Sequence, residues 1–153
     1  LLKIKNAGVK LIFKDYVSML YPESDDPTPY ERFTFEYWIG TQLIYSSRYE
    51  LCDWNFQPLK EKLEEYINNG HKGFEMEFLE PDFYFNFEPV EFNTEKTRFI
   101  LTIDSYGFPG VNDGYSSQGL SALLYFDDGD LKQIVNDLDN FIKERGIEKY
   151  KER

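Results

Sequence analysis

Apolar residues recur with two different periods along this chain, and each change of period marks a new element. Val9, Leu11 and Phe13 alternate with other residues, as do Phe33, Phe35 and Tyr37 with Thr34 and Glu36. Leu43-Ile44-Tyr45 follows after a turn containing Gly40, which predicts a hairpin. Farther on, Phe74, Met76 and Phe78 alternate with Glu75 and Glu77, and Phe83, Phe85 and Phe87 with Tyr84, Asn86 and Glu88. Phe99, Leu101 and Ile103 then alternate with Ile100, Thr102 and Asp104. Successive strand residues point to opposite faces, so each run predicts one buried face and one outward face. Leu120 to Phe126 is more continuously apolar and predicts a central strand.

Helical spacing appears twice. Asp53 is a candidate N-cap for a helix from Trp54 to about Asn69, with Phe56, Leu59, Leu63, Tyr66 and Ile67 on its apolar side. Pro58 fits only near the first turn, and Gly70 stands where a left-handed cap ends a helix. In the second helix Leu131, Ile134, Val135, Leu138, Phe141 and Ile142 form one stripe. Asp128, Gly129 and Asp130 precede it, and Lys143 and Arg145 close it before Gly146. The strands after the first helix follow too closely for parallel crossovers. The expected fold is therefore α+β, a two-layer sandwich of mainly antiparallel sheet with both helices packed on one face, in a single domain over 1–153. Its longest expected loops run from Tyr21 to Tyr30 and from Ser105 to Gly119.

Composition supports a β-rich core, since 14 Phe, 12 Tyr and two Trp make 18% of the chain aromatic. Charge narrows the partners. Seventeen Lys and Arg against 28 Asp and Glu give −11, which argues against phosphate-backbone recognition of nucleic acid and against anionic membranes. A single cysteine, Cys52, excludes an internal disulfide, and with only His71 beside it a Cys/His zinc site is not expected. No apolar run approaches the ~18–20 residues of a membrane span, and no signal-peptide pattern is present, so a cytoplasmic protein is expected.

Catalytic patterns are absent. Gly114-Tyr115-Ser116-Ser117-Gln118-Gly119 lacks the spacing of a nucleophile elbow and reads as a loop. His71 is expected as a solvent-exposed turn residue, and Cys52 as a small buried hydrophobe. Asp127-Asp128-Gly129-Asp130 fails the order of a calcium loop and suits a helix N-terminus. There is no glycine-rich phosphate loop. No enzyme activity and no cofactor follow.

What remains is surface. Residues 1–22 hold four Lys against Asp15, and residues 143–153 hold five basic against three acidic residues, which leaves −16 for residues 23–142. Between Gly73 and Glu95 stand seven acids and no Lys or Arg, and Phe99 to Leu131 adds five more acids without a base. Outward acids keep a domain soluble, but a single-sign field of this size also serves to dock a basic partner. The loop from Ser105 to Gly119 carries Tyr106, Phe108 and Tyr115 among Gly, Ser and Asn, a composition suited to recognition.

The segment Glu80-Pro81-Asp82-Phe83-Tyr84-Phe85, the run Phe99-Ile100-Leu101-Thr102-Ile103 and the passage Tyr125-Phe126-Asp127-Asp128-Gly129-Asp130-Leu131 together resemble bacterial immunity proteins of the wall-associated, polymorphic-toxin type. The resemblance covers about residues 50–145. It implies a small cytoplasmic protein that neutralises a toxin domain by binding and brings no catalytic residues. A basic, nuclease-type toxin is the expected partner. The expected contacts are Glu75, Glu77, Tyr84, Asn86, Glu88 and Asp104, with Tyr106, Phe108 and Tyr115 as aromatic anchors. The alternative is a glycan-binding or phage-structural β-rich protein that uses its aromatics as stacking platforms.

Overall fold

The alternating runs form two sheets. In the computed structural model, which describes residues 1–20, 31–51, 56–78, 83–91, 93–104 and 119–149, the first sheet contains β1 (Leu2–Asn6), β2 (Val9–Leu20), β3 (Glu31–Ile39) and β4 (Gln42–Leu51) in that spatial order, all antiparallel. Helix α1 (Phe56–Asn68) leads to the second sheet, an antiparallel meander of β5 (Phe74–Phe78), β6 (Phe83–Val90), β7 (Asn93–Asp104) and β8 (Gly119–Asp127). Helix α2 (Asp128–Lys143) follows. The final strand β9 (Gly146–Lys149) returns to the first sheet and pairs in parallel with the far half of β2. The α+β class and the antiparallel meander stand as expected.

Phenylalanine explains how the sheets close on one core. Inward residues Phe13, Phe33 and Phe35 of the first sheet meet Phe83 of the second, with ring centroids 6.4, 6.0 and 5.3 Å apart. Asn6 of β1 donates through its side-chain amide to the Tyr125 carbonyl of β8, so the two sheets also touch along these strands. Both helices lie against the inward faces. Phe56 of α1 sets its edge on Phe13 and Phe33, and Phe141 of α2 stacks on Tyr16 at 4.7 Å. Lys60 joins the helices through Asp139 at 3.2 Å. Tyr66 keeps its buried hydroxyl satisfied by a 2.9 Å hydrogen bond with Thr97.

Several local expectations change. Asp128, Gly129 and Asp130 form the first turn of α2, and its N-cap is Asp127, in a capping box with Asp130. Backbone N–H donation to Asp127 holds its carboxyl below the usual range. Gly70, at φ +79°, does end α1, where His71 N–H donates to the Tyr66 carbonyl at 3.1 Å. His71 is half-buried, not exposed: its Nε2 lies 2.8 Å from Asp128 Oδ1 and its ring stands edge-on to Tyr66. Gly146 caps nothing; it opens β9, where its Cα approaches Val17. The run from Leu120 to Phe126 is the edge strand β8, not a central one, and it leaves Leu123 and Tyr125 exposed. Asp53, Trp54 and Cys52 lie outside the described residues, as do 21–30 and 105–118.

Candidate protein-binding face

The inward phase of the second sheet fixes its outward phase. Phe83, Phe85 and Phe87 on β6, Phe99, Leu101 and Ile103 on β7, and Ala122, Leu124 and Phe126 on β8 are buried. Their alternates therefore share the other face. Strand register aligns those alternates in rows across the sheet. One row reads Glu77, Tyr84, Thr102, Ser121, and the next reads Glu75, Asn86, Ile100, Leu123. The row beyond is Glu88, Arg98, Tyr125.

Five of the nine expected contacts, Glu75, Glu77, Tyr84, Asn86 and Glu88, are thus neighbours on one face. Asp104 ends β7 opposite Gly119, and its side chain lies outside the described residues. Tyr106, Phe108 and Tyr115 also lie outside them.

The face is graded in charge. Glu75 and Glu77 are exposed and make no ion pair among the described residues. Glu88, by contrast, accepts from Arg98, and that bond, with a second from Asn86, holds its carboxyl below the usual range. Lys96 stands opposite Asp127. The acidic stretches are therefore offset at the β7 end by the two bases between them, and the unneutralised acid collects at β5. Between these zones lies a depression of about 570 Å³, bounded by Glu75, Glu77, Tyr84, Asn86, Ile100 and Thr102. Asn86 donates to Glu75 Oε1 at 3.2 Å, and its own Oδ1 is buried without a hydrogen-bond partner.

Ile100, Thr102, Leu123 and Tyr125 complete this face and were not among the expected contacts. The alternation of β7 already put Ile100 and Thr102 on the outward phase, so that signal was present. The exposed half of β8 was hidden, because an apolar run does not say which of its members face water.

The described residues offer little else chemically. No group of three or more His, Cys, Asp or Glu is placed to hold a metal ion among them. No described helix is long and apolar enough to cross a membrane. The face as built can take up cationic and hydrogen-bond-donating groups at β5 and apolar groups toward β8. No family model and no curated protein matches the chain, so the reading of this face rests on its own residues.

Proposed function

We propose that this chain is a non-catalytic binding protein that neutralises a cognate, basic bacterial toxin domain of the nuclease type, acting in the cytoplasm of the producing cell. The observation that carries the reading is the gathering of Glu75, Glu77, Tyr84, Asn86 and Glu88 on one outward face, with unpaired acid along β5. A nuclease cleft is shaped to hold phosphates, and carboxylates in fixed rows can stand in for them. The field speeds encounter, and the desolvated groups at the centre supply affinity. Tyr84, exposed at the middle of the first row, supplies contact area with few rotamers to freeze.

The test is capture by the immobilised protein from lysate and supernatant of its own host, at low and high salt, with bound proteins identified by mass. A recovered toxin fragment is then co-expressed with the wild type and with Glu75→Lys/Glu77→Lys. The expected result is growth protection by the wild type and loss of protection by the variant, with binding weakened by about 2 kcal/mol or more. Equal protection by both would remove this face from the interaction. Retention on a polysaccharide column, with no toxin recovered, would favour the glycan-binding alternative.

A further inference from the structure

The first sheet has an outward face of its own, and its charge is opposite. Register places Lys5, Lys10, Trp38 and Leu43 in one row and Lys3, Ile12, Glu36 and Ser46 in the next. Lys5 and Lys10 stand directly across from each other, an arrangement that destabilises a sheet when nothing anionic is present. Neither they nor Lys3 make an ion pair among the described residues, although Lys10 Nζ sits 4.9 Å over the Trp38 ring. Glu36, the one acid in these rows, is occupied by Lys14 and by Trp38 Nε1. Its carboxyl is held below the usual range by those two donors. A cluster of like charge is thus retained on a chain whose total is −11.

We infer that this lysine face docks the acidic face of a second copy of the chain. The two faces run through the same gradient with opposite sign. One passes from Lys3 and Lys5 on an edge strand to Trp38 and an exposed Leu43. The other passes from Glu75 and Glu77 on an edge strand to Ile100 and an exposed Leu123. Laid face to face, Lys meets Glu at one side and Leu meets Leu at the other, as sheet-on-sheet packing permits. The inward faces of both sheets enclose one core, so the two outward faces look away from each other, and one copy can offer each to a different neighbour. Such a contact is heterologous and propagates until it closes into a ring or is capped. The net repulsion between copies is screened beyond a Debye length of about 8 Å at physiological salt, whereas the facing charges are closer than that. The inference uses the same acidic face as the proposed function but does not depend on the toxin. A toxin seated there would exclude the second copy.

Sedimentation velocity across a wide concentration range tests it, with wild type, Lys5→Glu/Lys10→Glu and Glu75→Lys/Glu77→Lys. At about 0.15 M salt the wild type is expected to gain mass with concentration, and at about 1 M salt to sediment as one chain. Each variant alone is expected to associate at least about tenfold more weakly. Lys5→Gln/Lys10→Gln, which removes charge without reversing it, should fall between. An equimolar mixture of the two reversed variants restores both pairings, one native and one with its signs exchanged, so it should regain the concentration-dependent mass that each variant alone has lost. A wild type that stays one chain throughout, or one whose association neither reversal weakens, overturns the inference. So does failure of the mixed variants to pair. Lys5→Glu/Lys10→Glu should still protect against the toxin, so loss of self-association and loss of toxin binding are separable.

Discussion

Glu31 is the one buried acid among the described residues. It accepts from the Tyr16 hydroxyl and, at 2.9 Å, from Arg145 Nη1. Desolvation pushes its carboxyl above the usual range even though both donors pull the other way, and burial pushes the Tyr16 phenol far above its own. A carboxyl raised in the folded state contributes stability in full below its unfolded pKa, and that contribution is lost as pH rises through the folded value. Arg145→Ala should therefore cost roughly 3 kcal/mol at pH 7, where it strands a buried charge, and recover toward the wild type at a lower pH, where the carboxyl takes up a proton. Glu31→Gln keeps an acceptor for Arg145 without the charge and should be milder and flat over that interval. Urea unfolding at the two pH values measures both. None of this was legible. An acid ahead of an alternating run reads as solvated, Arg145 reads as a helix-dipole partner, and the two are 114 residues apart.

Among elements, α2 was the most legible, because its stripe, capping acids and closing Lys143 all point one way. Its residues Leu131, Ile134, Leu138 and Phe141 are buried as the stripe required. Strand β9 was not legible. Four residues, Gly-Ile-Glu-Lys, carry too little alternation to announce a strand, and Ile147 is 65% exposed. What makes it a strand is its partner: Gly146 lies opposite Val17, and a Cβ there would stand 2.9 Å from Val17 Cγ1. Gly146→Ala should destabilise by ~1–3 kcal/mol through this overlap, and Val17→Ala in the same chain should recover part of it. A double-mutant cycle of thermal unfolding would show the coupling. Independent, additive effects would mean that β9 shifts freely to accept the methyl.

For the whole molecule, the class, the meander and five neighbouring members of the acidic face were legible in the sequence. The division of the strands between two sheets was not. Alternation says which side of a strand is buried but not what buries it, and here the answer is Phe83 reaching across to Phe13, Phe33 and Phe35. Phe83→Ala removes the ring on which the two sheets meet and should cost ~3–5 kcal/mol, measured by denaturant unfolding. The charge map was likewise half visible. Counting located the acids and the basic ends, but only register shows Lys3, Lys5 and Lys10 on a face of their own and Arg98 neutralising Glu88.

The parallel join of β9 to β2 also sets a clock. Val17 and Gly146 are separated by nearly the whole described chain. At about 5–20 residues per second, a ribosome delivers the second partner on the order of ten seconds after the first. During that interval the far half of β2 has no neighbour on its β9 side, and Glu31 has no Arg145. The nascent chain must carry an open strand edge and an unmatched carboxylate until α2 has emerged. A truncation just before Arg145 would hold that state permanently, and its aggregation against that of the full chain would report how exposed the unfinished molecule is.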